Sequence, residues 1–212
     1  MSVNIFQLHI KTAEINEVKA FLVNWLEDKY GRMPAVHSKQ NSSFSFFHNE
    51  IPTHFSLCEM HDGWVTVLHD SYEQLEDLTS SLSSFCHTMV IHALAQSTVD
   101  TYHLTIFQEG KLLRRINFGE EYAGIDQYGE PLPFEKIPLG SEAGTGEGDS
   151  RIFDYNDMYA YCLHFNIDLL TDPAEKDGSW EVIQVQPDPV PTESPHIFSI
   201  FNNIFSRSKK GK

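Results

Sequence analysis

Apolar and polar positions alternate from Val3 to Ile10, with Val3, Ile5 and Gln7 on one side and Phe6, Leu8 and Ile10 on the other. Successive side chains of a strand point to opposite faces, so the pattern predicts a β-strand. Both sides are largely apolar, which places the strand inside a sheet. The period then changes. Ile15, Val18, Leu22, Trp25 and Leu26 recur at spacings of three and four, predicting a helix capped by Thr12 and stopped by Gly31, the residue type that tolerates the left-handed C-terminal conformation. Arg32 to Ser42 reads as a polar connection containing Pro34, followed by short strands at Ser43 to His48 and His54 to Met60. After the turn His61-Asp62-Gly63, Trp64 to His69 reads as a strand again. Ser71-Tyr72-Glu73-Gln74 has the spacing of a capping box, in which the Ser71 hydroxyl accepts a free backbone N–H and the Gln74 side chain reaches back to the cap. A second helix is expected from there, with the stripe Leu75, Leu78, Leu82 and Phe85. Thr88 to Ala95 is strand-like, and Tyr102 to Gln108 with Leu112 to Phe118 reads as a hairpin turning at Glu109-Gly110.

Sliding the chain along itself by sixty residues lays these elements over one another. Leu8-His9 falls on Leu68-His69, Ile15, Val18 and Leu22 fall on Leu75, Leu78 and Leu82, and Phe44, Phe46 and Phe47 fall on Leu104, Ile106 and Phe107. Self-similarity of this kind indicates duplicated units. Thr88 to Ala95 has no counterpart in the first copy, so the duplication is imperfect. The expected fold class is α+β: two related strand-helix-strand-strand modules forming a mainly antiparallel sheet, plus a third helix and strand. Residues 1–186 are expected as one globular domain, with module one at 1–60, module two at 61–120, an acidic Gly/Pro loop at 121–150 and a completing helix and strand at 151–186. The third helix carries Met158, Tyr161, Cys162 and Phe165 behind an Asp154 cap, and Trp180 to Val185 is the last strand.

Charge narrows the choice of partner. The net charge is −15, and neutralising a nucleic-acid backbone needs clustered Lys and Arg, so no nucleic-acid partner is expected. The acidic surface favours solubility and attraction to basic partners. Cys58, Cys86 and Cys162 are odd in number and far apart without a C-x-x-C pair, which suits reduced thiols in a cytoplasmic protein. No apolar run approaches the roughly 20 residues that span a bilayer, and the first residues lack the pattern of an export signal.

Past the proline-rich linker at 187–196, residues 197–212 form an amphipathic basic tail. Ile197, Phe198, Ile200, Phe201, Ile204 and Phe205 fit one helical face, followed by Arg207, Lys209, Lys210 and Lys212. This tail holds four of the 15 basic residues and no acid, leaving 11 against 30 elsewhere, a net of −19. Phe198, Phe201, Phe205, Arg207, Lys209 and Lys210 are therefore candidate docking residues. They dock on the chain's own body or a sister subunit, on a protein partner, or on a membrane surface.

The sixty-residue shift also pairs His9 with His69 at strand ends, with Glu59 and Glu120 ending later strands of each copy. Two histidines and two carboxylates related by a pseudo-twofold suit zinc, iron, nickel or manganese, so these four are a candidate metal set. Ordinary histidines at loop edges are the better reading, and the metal set is the alternative. In layout the chain resembles the vicinal-oxygen-chelate (glyoxalase-like) superfamily over about Val3 to Glu120. That resemblance implies paired strand-helix-three-strand modules, a divalent metal and a metal-dependent enzyme or small-molecule binder, although His9 and His69 lie closer to the helix starts than in that pattern. The stretch Gly63-Trp64-Val65-Thr66-Val67, Ser81-Leu82-Ser83 and Phe107-Gln108-Glu109-Gly110 resembles an uncharacterised bacterial family, which implies bacterial origin and no activity.

Other chemistry is weaker. Cys58 and Cys86 sit near His61 and His87, but neighbours on a strand point apart, and buried free cysteine is the better reading. The loop at Gly144-Thr145-Gly146-Glu147-Gly148 lacks the Lys-Ser/Thr of a phosphate loop, and Asp172 to Glu181 has Ala174 and Lys176 where a calcium loop needs oxygen ligands. The leading expectation is a non-catalytic cytosolic bacterial interaction protein without a cofactor. Its concrete form is a toxin-neutralising immunity protein binding a basic partner, with the metal-dependent, glyoxalase-like protein as the alternative.

Overall fold

The strand expected at the interior becomes the middle of the sheet. The computed structural model describes residues 4–40, 49–119, 122, 125–135, 152–173 and 179–185. Within these residues the strands are β1 (Asn4–Ile10), β2 (Ala35–Lys39), β3 (His54–His61), β4 (Trp64–His69), β5 (Met89–Gln96), β6 (Thr101–Gln108), β7 (Lys111–Phe118), β8 (Ile125–Tyr128) and β9 (Trp180–Gln184). The helices are α1 (Ile15–Tyr30), α2 (Glu76–Phe85) and α3 (Tyr155–His164). The strands form one sheet in the order β2-β9-β3-β4-β1-β5-β6-β7-β8, and each pairing is antiparallel. The fold is α+β. The openings of the two expected modules, β1 and β4, lie side by side at the centre. Thr88 to Ala95, without a counterpart in the first copy, supplies β5, the other neighbour of β1.

Each face of the sheet is covered by helix. Leu8 and Ile10 of β1 join Val65 and Val67 of β4 under Val18, Leu22 and Leu26 of α1 and Leu78 and Leu82 of α2. Ile5 points the other way and joins Trp64, Leu104 and Ile106 under Met158, Tyr161 and Cys162 of α3. Strand alternation separates the two sets. α1 and α2 therefore share one face and α3 occupies the other.

Of the four helix ends expected from local chemistry, two form as expected. Gly31 ends α1 at φ 65, and its N–H bonds the Glu27 carbonyl. Asp154 caps α3 and forms a reciprocal box with Asp157. The box expected at Ser71 and Gln74 is not formed. α2 begins at Glu76, after Leu75 at φ 46, and has no side-chain cap. Ser71 instead accepts the Glu73 N–H at 3.1 Å and donates to the Glu50 carbonyl at 2.8 Å, a local turn competing with the helix. Thr12 likewise accepts the Glu14 N–H in a turn rather than capping α1. The β6–β7 turn has both central residues at positive φ, Glu109 at 50 and Gly110 at 79, as a primed two-residue hairpin requires.

β2 and β8 were expected as connections. β2 is short and polar, and it is a strand because β9 gives it a partner in register from Ala35 opposite Gln184 to Lys39 opposite Trp180. The segment after β8 is held by a buried ion pair: Arg114 donates to both oxygens of Glu135 at 3.0 and 2.9 Å. The same guanidinium donates to the Tyr128 and Gly129 carbonyls and to Gln127. With side chains 1% and 2% exposed, the pair keeps its charge because the guanidinium donors are all bonded and Glu135 also accepts the Leu132 N–H.

The expected strand Ser43 to His48, the acidic Gly-rich run at 140–149, the linker and the basic tail lie outside the described residues.

Candidate functional site

Of the expected metal set, the structure separates the two histidines. β1 and β4 pair so that an odd-numbered residue of one faces an even-numbered residue of the other, His9 opposite Thr66. A shift of sixty preserves parity, so residues equivalent under the repeat fall on opposite faces. His9 is buried on the α3 face, its Nδ1 3.1 Å from the Thr66 hydroxyl. His69 is buried on the α1/α2 face. Glu59 is exposed on β3, and Glu120 lies outside the described residues. Among the described residues no group of three or more His, Cys, Asp or Glu is placed to hold a metal ion. His9 also stays neutral, its pKa pushed down to about 3 by burial first and then by His61 and His92. The docking residues Phe198, Phe201, Phe205, Arg207, Lys209 and Lys210 lie outside the described residues.

Two of the thiols, Cys86 and Cys162, are poor nucleophiles. Burial pushes Cys162 up to about 12, and burial with Glu17 pushes Cys86 up to about 11. Reactive cysteines are shifted the other way.

What the structure does assemble is a polar network beneath the entry to α2. The Ser71 N–H points at His69 Nδ1 at 3.4 Å, His69 Nε2 lies 3.1 Å from His92 Nε2, and His92 Nδ1 lies 2.7 Å from the Gln74 carbonyl. A carbonyl only accepts, so His92 carries its proton on Nδ1 and His69 donates from Nε2, assignments made from the partners. Burial pushes His92 down to about 3, against the opposing effect of its bond to Gln74. Burial and the neighbouring His92 hold His69 well below the ordinary imidazole range. Gln74 is the hub. Its amide nitrogen bonds the Tyr122 hydroxyl, and its amide oxygen accepts from Asn117 at 3.4 Å. Asn117 continues to Asp126 and His103, and Arg115 bridges Asp126 and Glu76. The left-handed conformation of Leu75 is unusual for a side chain with a Cβ, and this anchoring holds it.

Outside this network lies a cleft of about 410 Å³ between α1, residues 50–52 and residues 73–78. Trp25, Ile51, Pro52, Leu75 and Leu78 give it apolar surface, while Glu50, Glu73, Glu76 and Asp77 face one cation, Lys29. Four carboxylates against one ammonium leave a formal excess of −3. The walls are held from behind. Asp70 accepts from Asn49, from the Thr53 N–H and hydroxyl, and from the His54 N–H, at 2.6 to 3.1 Å. Tyr30 donates to the Ile51 carbonyl at 3.1 Å. The nearby Tyr72 phenol is raised by desolvation first and then by Glu50 and Glu73, the direction expected beside negative charge. Trp25 meets Phe55 edge-on at 6.0 Å, and Lys29 Nζ sits 5.4 Å from its ring centroid.

Comparison with protein-family models, with curated proteins and with solved structures finds no match. The chemistry of the cleft therefore carries the functional reading. Its residues escape sequence inspection because 25–29, 50–52 and 73–78 meet only in the folded chain. The acids near residue 73 give a local signal, but such a cluster usually means no more than a solvated surface.

Proposed function

We propose that this protein is a non-catalytic cytosolic bacterial interaction protein that binds a basic segment of a protein partner, as a toxin-neutralising immunity protein does. The observation that carries this reading is the cleft: a concave, partly apolar surface whose charged groups are acidic by four to one. A basic chain entering it replaces repulsion among carboxylates with attraction, which speeds association and selects against acidic competitors. The overall charge of −15 acts in the same direction at longer range. No helix among the described residues is long and apolar enough to cross a membrane, consistent with this reading.

The test is co-purification from the native host at low and high salt, with the natural chain and a Glu73→Lys/Asp77→Lys variant. Both positions are exposed, so the variant keeps its fold. A partner recovered with the natural chain at low salt, and lost with the variant, supports the reading. A partner retained equally by both, or no partner at either salt, overturns it.

A further inference from the structure

We infer that the Trp25 indole is the seat for an arginine side chain of the partner, and that Lys29 is an internal occupant that must leave when the partner binds. This deepens the proposed function and rests on it. Three observations converge on the seat. Lys29 Nζ lies 5.4 Å from the Trp25 centroid, within the roughly 6 Å over which a cation is attracted to an aromatic face. The ring is braced edge-on against the fully buried Phe55, so it is presented in a fixed orientation. The carboxylates that line the cleft are more than Lys29 can answer. Glu76 is engaged by Arg115 at 3.3 Å, while Glu50, Glu73 and Asp77 make no ion pair among the described residues.

The chemistry selects arginine over lysine. A planar guanidinium stacks on an indole and keeps its N–H donors at the edge for carboxylates, whereas an ammonium is a compact, strongly hydrated point charge. Apolar surface from Ile51, Pro52 and Leu75 suits the aliphatic stem behind the head group. Lys29 is exposed and sits one helical turn after Trp25, so it can swing into solvent without disturbing α1. The cleft thus carries a weak self-occlusion: its own cation screens the site until a better one displaces it.

Titration of the full chain with hexaarginine and hexalysine peptides, read by calorimetry and by indole fluorescence, tests this. Expected results are tighter binding of hexaarginine than hexalysine, and about fivefold tighter hexaarginine binding by Lys29→Gln. Lys11→Gln, which removes an exposed charge elsewhere, should change affinity less than about twofold. Trp25→Leu should weaken hexaarginine about fivefold and Trp25→Phe less, with thermal melts confirming that both variants fold. If Lys29→Gln gains no more than Lys11→Gln, or folded Trp25→Leu binds as the natural chain does, the seat is wrong. In that case a partner still lost on Glu73→Lys/Asp77→Lys leaves the acidic cleft standing. Failure of hexaarginine to bind any form overturns the seat, and retention of the partner by the charge-reversed variant overturns the broader reading.

Discussion

Two charged regions of this molecule are built on opposite terms. At Arg114 and Glu135 one cation meets one anion bidentately, and the remaining guanidinium donors are spent on backbone carbonyls and Gln127. The cleft beside α2 is lined by four carboxylates and one lysine, and Glu76 is the one of the four with an ion-pair partner among the described residues, Arg115. The first arrangement is closed and buried; the second is open to solvent and short of cations. A closed set holds chain segments together, while an unbalanced one is where the proposed basic partner would bind. Fold stability and partner binding should therefore respond separately to changes at the two places.

The largest effect should come from opening the closed set. Glu135→Gln leaves a buried guanidinium without its counter-charge and should cost about 3–5 kcal/mol, measured by urea denaturation. Acid should act next. The unfolded chain protonates His9 and His92 near 6.5, whereas the folded protein keeps them neutral down to about 3. Between those values the unfolded state binds more protons, so stability falls as the pH falls. At pH 5 each of these histidines should cost about 2 kcal/mol, visible as a lower melting temperature than at pH 7. His69 shifts in the same direction and adds to the loss. Gln74→Ala removes the side-chain bonds to Tyr122 and Asn117 and should cost about 1–2 kcal/mol, with weakened partner binding because the cleft wall moves. The smallest effect on stability belongs to Glu73→Lys/Asp77→Lys, within about 0.5 kcal/mol in the same denaturation assay, although the partner should be lost. If that variant unfolded as readily as Glu135→Gln, the contrast between the two regions would collapse.

Much of the fold was legible in the sequence because the patterns were long. Seven residues of alternation located β1, and sixteen residues of helical spacing located α1, including its glycine stop. β2, five residues with only Val36 strongly apolar, has no such pattern and owes its state to β9. The helix start at α2 was misplaced because Ser71 and Gln74 match a capping box in spacing but find better partners in Glu50, Tyr122 and Asn117. The metal set failed on parity. An equal shift along the chain puts His9 and His69 at matching sequence positions, and the antiparallel pairing of their strands then turns them to opposite faces.

The sequence by itself determined the class of this protein: an α+β chain with alternating strands, three amphipathic helices and an acidic balance. Those properties are local or additive, set by side-chain periodicity and by counting charges. Tertiary structure decided which charges are neighbours. Residues 25–29, 50–52 and 73–78 form a cleft only because α1 and α2 pack on the same face and Asp70 and Gln74 pin the segments between them. Electrostatic and stacking forces act over a few ångströms, so a site exists only once the fold has brought its parts that close.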